Sequence, residues 1–139
     1  NIDHYNAVTG ENLQRYIFAC DELAEMLDKT GLTKEQKEIV VKIESLLGTI
    51  ARQGRAFGIH LILATQRPAS TILNGQIKNN INCRICGRAD NILSHIILDN
   101  TDAAEQIPKT ARGRFLLHDG TIFQAYWFDD TAGITGLHS

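Results

Sequence analysis

The sequence predicts an α/β fold: an open, mostly parallel sheet flanked by helices, with a β-hairpin towards the C-terminal end. Three observations carry that reading. Tyr16-Ile-Phe-Ala-Cys20 and Ile59-His-Leu-Ile-Leu-Ala-Thr65 are nearly continuous in apolar residues rather than alternating, as strands are when helices cover both faces of a sheet. A strongly amphipathic segment lies between them, which is the strand–helix–strand order of a parallel sheet. Asp119-Gly120, the strongest short turn signal in the chain, centres a hairpin over residues 113–128.

Taken in order, Asp21 to Asp28 (DELAEMLD) reads as a helical turn or two leaving the first strand. Thr33 with Gln36 makes a capping box for the long helix that follows. Along it Ile39, Val40, Ile43, Leu46, Leu47, Ile50 and Ala51 fall on one face. Lys34, Glu35, Lys37, Glu38, Lys42 and Glu44 alternate in sign elsewhere, the pattern of a solvated surface. Gly54 and Gly58 punctuate the helix end. A loop is expected over 67–71, a short helix over 72–78, a third strand over 81–86 and a helix over 91–98. Residues 129–139 carry weak signals and read as a frayed tail.

The 139 residues are about one domain long, and 43% apolar with 22% charged is ordinary globular composition. A net charge of −2 excludes a global basic field, so any nucleic-acid contact must come from a few local residues multiplied in an oligomer. Three cysteines, Cys20, Cys83 and Cys86, sit in apolar contexts and suit free thiols in a reducing compartment. No stretch approaches the roughly 18 apolar residues of a membrane span. The chain begins without Met and is read as a piece of a longer protein.

The carboxylates Asp21 and Glu22 directly follow the first apolar strand. In an open parallel sheet the ligand crevice lies outside the carboxyl ends of the strands. Phosphoryl transfer to water needs one carboxylate near Mg²⁺ and a group that orients the attacking water, roles that suit Asp21 and Glu22 respectively. Taken alone, the same pair also reads as a helix cap, with Asp21 capping and Glu22 favouring the positive helix end. The second strand runs out into Thr65-Gln66-Arg67-Pro68, bringing polar side chains to the same sheet edge. A neutral amide such as Gln66 suits contact with a γ-phosphate, and alone it is also an ordinary loop amide.

With those residues side by side, the sequence resembles the FtsK/SpoIIIE family of hexameric DNA-pumping ATPases, within the wider RecA-like P-loop motors. The resemblance is carried by YIFACDELAEML (16–27), GRAFGIHLILATQRP (54–68), ILNGQIKNNINCRI (72–85) and ILDNTDAAEQ (97–106), and spans about residues 12–128. It implies that residues 1–128 are the C-terminal portion of a motor domain and that Asp21 and Glu22 form its Walker B element. Asp21 would hold Mg²⁺ through water, and Thr65 and Gln66 would meet ATP. It further implies that Gln66 lies in the sensor strand and that Arg55 reaches a neighbouring subunit's nucleotide; without the family, Arg55 is a cation near a helix C-terminus. Arg67 and Lys78 match channel positions that touch the DNA backbone, with Arg84 or Arg88 as further candidates. The implied setting is a homo-oligomer, a hexameric ring acting on double-stranded DNA in the bacterial cytoplasm, with the parent tethered to the inner face of the membrane. The resemblance departs at Asn91-Ile92 and His95, where the family commonly carries basic residues, and in the 113–127 stretch. The phosphate loop G-x-x-x-x-G-K-[ST] does not occur in the chain and is expected upstream, so the isolated chain is expected to be inactive. Two other readings stand beside this one: a type VII secretion-like ATPase moving proteins, and a non-catalytic assembly module.

Cys83-Arg-Ile-Cys86 is set aside as a metal or redox motif. Within a strand, positions three apart face opposite ways, and no second ligand pair accompanies them. His60, inside an apolar strand, reads as a packed histidine with a hydrogen-bond partner.

Overall fold

The computed structural model describes residues 1–67 and 75–126, with the side chain of Gln76 excepted. The expected loop beyond Arg67, the first residues of the 72–78 helix, the last residues of the hairpin stretch and the 129–139 tail lie outside the described residues. The chain divides into two units, Asn1–Asn82 and Cys83–Ser139.

The first unit opens with α1 (Ile2–Thr9), which the sequence reading did not anticipate. Asn1 caps it through His4 N, and Gly10 ends it in the left-handed region. The Asn6 side chain then clamps Leu13 through both backbone groups, ordering the way into β1 (Tyr16–Cys20). Next come α2 (Leu23–Leu27), α3 (Lys34–Gln53), a 3₁₀ turn (Gly54–Phe57), β2 (Ile59–Leu63) and α4 (Gly75–Lys78). The capping box holds as expected: Gln36 N donates to Thr33 Oγ1 and Thr33 N to Gln36 Oε1.

β1 and β2 pair in parallel, Tyr16 opposite Ile59 through Cys20 opposite Leu63. The ladder continues past β1, because Ala64 N donates to Cys20 O and Leu23 N donates to Ala64 O, each at 2.8 Å. The core beneath the sheet gathers Leu23, Ala24, Leu27, Val40, Leu47 and Ile77, with Cys20, Ile43, Leu61 and Leu63 packed against it. The buried stripe of α3 is Val40, Ile43, Leu47, Gly48, Ile50 and Ala51, at helical spacing. Ile39 and Leu46, expected on that face, are 59% and 53% exposed, because the stripe that meets the strands, α2 and α4 is narrower than the apolar face.

Coverage of the sheet also differs from expectation. Tyr16, Phe18 and Cys20 share the α3 side with Ile59, Leu61 and Leu63, whereas Ile17, Ala19, His60 and Ile62 point the other way. Among the described residues that second face has no helix over it, so Ile17 and Ile62 are 67% and 58% exposed. His60 lies on this face and is exposed rather than packed.

Gly54 is required where the helix turns into β2. A Cβ there would stand 2.7 Å from the Ile59 carbonyl oxygen and 2.9 Å from Ile50 Cγ2. The absence of a side chain lets the helix end lie against the strand start, which fixes where Arg55 leaves the turn.

The second unit holds β3 (Ile85–Cys86), α5 (Asn91–Leu98), α6 (Asp102–Gln106), β4 (Arg114–Leu117) and β5 (Ile122–Gln124). The hairpin forms as expected, with Gly120 at φ +87 in its turn. The third strand is shorter than expected and pairs antiparallel with β4 instead of joining the parallel pair. Cys83 consequently lies before the strand and is exposed, while Cys86 in β3 is buried; both are free thiols. Burial and the neighbouring Asp90 charge push the Cys86 thiol above its ordinary range, the opposite of an activated thiolate. The core joins Cys86, Leu98, Ala103, Ile107 and Leu116. Among the described residues no helix is long and apolar enough to cross a membrane.

Candidate functional site

Both parallel strands end at the same edge, and the residues that follow them meet there. The register sets this up. β2 runs 43 positions behind β1 (Ile59 opposite Tyr16), so Glu22 comes opposite Thr65. Thr65 Oγ1 donates to Glu22 Oε1 at 2.5 Å, and Gln66 N donates to Glu22 Oε2 at 2.9 Å. Glu22 Oε1 also accepts from Ala24 N at 3.1 Å, which makes Glu22 the cap of α2. The cap was expected of Asp21; the residue with the extended cap conformation is instead its neighbour, because the strand runs on by one more ladder bond before the helix starts. Asp21 is exposed, and among the described residues it makes no side-chain hydrogen bond or ion pair.

The Thr65 hydroxyl holds the Glu22 carboxyl below its ordinary range, followed by the Gln66 amide, against an opposing effect of desolvation and with lesser help from the Ala24 amide and the Arg67 charge. Glu22 is therefore ionised at neutral pH and fixed in one orientation. Arg67, next along the turn, pairs with Glu25 of α2 at 2.8 Å, with both side chains more than half exposed. Its backbone N–H donates to Thr65 Oγ1 at 3.3 Å.

Arg55 lies at the other end of the sheet. It leaves the 3₁₀ turn before β2 exposed, and among the described residues its side chain has no hydrogen-bonding or ionic partner. The five residues of β2 separate it from the Thr65 edge, roughly 16 Å of strand. Lys78 ends α4 half-buried. In the second unit Arg84 pairs with Asp99 at 2.7 Å, and its side chain is only 22% exposed. Arg88 donates to the carbonyls of Ala104 and Ile107 at the end of α6. The structure thus brings Glu22, Thr65 and Gln66 together with Asp21 alongside, and engages Arg84 and Arg88 within their own unit.

No family model matches the chain. The DNA translocase FtsK of Pseudomonas aeruginosa is 41% identical over 96 residues, 68% of this chain. The conjugation coupling protein TcpA of pCW3, solved in monomer form with ATPγS, superposes on 95% of the chain with a TM-score of 0.86 and 46% identity. The chain belongs to the FtsK/SpoIIIE motor family. It is a partial P-loop motor fold of the expected α/β class, with helices on a parallel pair and a C-terminal hairpin. The cytoplasmic domain of the type VII secretion ATPase EccC of Thermomonospora curvata shares this fold, with a TM-score of 0.60 at 24% identity over 86% of the chain. The chain spans about a tenth of the length of the FtsK relatives it matches, and 38% of the TcpA chain.

One feature of this strand-end cluster in the FtsK-like chain escaped the sequence reading: Thr65 and the Gln66 backbone act on Glu22 itself. The signal was available in the 43-residue offset of the two strand starts, which places Thr65 opposite Glu22 as soon as parallel pairing is assumed.

Proposed function

We propose that this chain is the water-activating part of an ATP-driven motor that moves double-stranded DNA, in chromosome partitioning or in conjugative transfer. The observation that carries the proposal is the meeting of Glu22, Thr65 and Gln66 at the carboxyl end of a parallel pair, with Asp21 free beside them. The name of the FtsK relatives and the ATPγS complex of TcpA support the cargo and the nucleotide.

The residues present fit Mg²⁺ and ATP on the acidic side. Asp21 offers an exposed carboxylate to a hydrated divalent ion, and the Gln66 amide is a neutral donor for a terminal phosphate. Bound Mg²⁺ would offset negative charge on the phosphates. The phosphates themselves are held, in this reading, by a loop outside these residues. Glu22 accepts the proton of the attacking water and orients it; its lowered proton affinity keeps it in the charged form that can do so.

Arg55 cannot serve the site of its own chain from the opposite end of β2. It acts on a neighbour's, which makes a ring, hexameric in this reading, the working unit. Arg67 and Lys78 are read as contacts to the DNA backbone, and Arg84 as a further one, in a cytoplasmic motor whose parent is tethered to the membrane.

The test is ATP hydrolysis by the parent protein, phosphate loop included, with and without linear duplex DNA. Glu22→Gln is expected to keep ATP binding while hydrolysis falls roughly 100-fold or more. Normal turnover by that variant would reject the assignment, and hydrolysis indifferent to duplex DNA would reject DNA as the cargo.

A further inference from the structure

The turn after β2 does more than sit beside Glu22. Glu22 Oε1 takes both the Thr65 hydroxyl and Ala24 N, and Oε2 takes Gln66 N, so three of about four lone-pair positions on the carboxylate are filled by the protein itself. A general base needs a lone pair free and directed at the water it deprotonates. A carboxylate fixed on both oxygens cannot swing towards one without first giving up these donors.

The donors form a continuous chain that ends at a cation. Thr65 Oγ1 donates to Glu22 and accepts from Arg67 N, and the Arg67 guanidinium reaches back to Glu25, one turn along α2 from the Glu22 cap. The Arg67–Glu25 pair is more than half exposed on both sides, where an ion pair contributes little and a competing anion displaces it at low cost. A run of phosphates is such an anion, and it would pull on the residue whose amide is bonded to the Thr65 hydroxyl. The Ala64–Leu23 ladder bond lies outside this chain of donors and would keep the strand and helix together while the turn opens.

We propose that the Thr65–Arg67 turn is an autoinhibitory latch on Glu22, released when a polyanion draws Arg67 away from Glu25. The inference rests on reading the chain as part of a DNA-stimulated ATPase. It assigns Thr65 as a positioning residue and makes Glu25, otherwise a surface carboxylate, the anchor of the resting state.

The experiment uses the full-length motor and measures hydrolysis without DNA and at saturating linear duplex. Glu25→Gln removes the anchor at an exposed position and touches none of the Glu22 donors. It is expected to raise the DNA-free rate several-fold while leaving the DNA-saturated rate near that of the wild type. Thr65→Val is expected to raise the DNA-free rate as well, and Thr65→Ser, which keeps the hydroxyl, to restore a low one. DNA-free rates unchanged or lowered in both Glu25→Gln and Thr65→Val, in a wild type that duplex does stimulate, would overturn the latch and leave the motor assignment standing. A wild type that hydrolyses ATP with no response to duplex would overturn the DNA reading and the latch together.

Discussion

Glu22 combines roles that usually fall to separate residues. It caps α2, holds the turn after β2 and, in the proposed function, is the carboxylate that activates water. The first two roles favour its charged form, so part of the fold's stability depends on its ionisation. Its folded-state affinity for a proton is lowered, chiefly by the Thr65 hydroxyl, so that contribution is present above the ordinary glutamate range and is lost as pH falls through the lower folded value. Thr65→Val is therefore expected to destabilise the protein most at neutral pH, and the gap to wild type should close as acid protonates Glu22. Denaturant unfolding at a series of pH values checks this; a gap independent of pH would mean that Thr65 matters by packing alone. At this scale the position of the Asp21-Glu22 pair at a strand end was legible, read either as phosphoryl-transfer chemistry or as a helix cap. Which of them caps the helix was not, because the choice depends on one further ladder bond, Ala64 N to Cys20 O.

Among the elements, α3 was the most legible. Its capping box and 20-residue length follow from local rules that need no partner. The part of its apolar stripe that is buried did not follow, because α2, α4 and the strands select a face narrower than the apolar one, leaving Ile39 and Leu46 outside. The α5–α6 pair was half seen: α5 matched residue for residue, while α6 went unnoticed. Its hidden support is Ser94, fully buried, whose hydroxyl donates to Asn100 O and accepts from Ala103 N. A serine among Leu93, Ile96, Ile97 and Leu98 gives no sequence signal of this, because its partners lie in the next turn and helix. Ser94→Ala leaves both backbone groups without that partner and is expected to cost about 1–3 kcal/mol. Chemical denaturation reads the loss, and an unchanged midpoint would show that water replaces the hydroxyl.

For the whole molecule, the decisive geometry is the separation of Arg55 from Glu22 by the length of β2. If each catalytic centre combines Glu22 of one subunit with Arg55 of the next, neither residue is useful within its own chain. Arg55→Ala is expected to lower hydrolysis roughly 1,000-fold or more in the assembled parent. Mixing Arg55→Ala with Glu22→Gln subunits should then restore activity above that of either variant alone, since some interfaces regain one intact copy of each residue. A mixture no better than its components, in rings shown to contain both, would place Arg55 outside the catalytic centre.

The α/β class, the parallel pair, the long capped helix, the hairpin and the acidic pair at a strand end could all be read from the residues alone. These rest on periodicity, capping and turn chemistry, which act over a few residues. Packing in three dimensions sets which face of α3 is buried, joins the short third strand to the hairpin in an antiparallel sheet, and engages Arg84 and Arg88 with Asp99 and the end of α6. It also brings Thr65 and Gln66 onto Glu22. That contact spans 43 residues of chain and exists because two strands pair in one register, a choice made by the packing of the whole unit rather than by either strand.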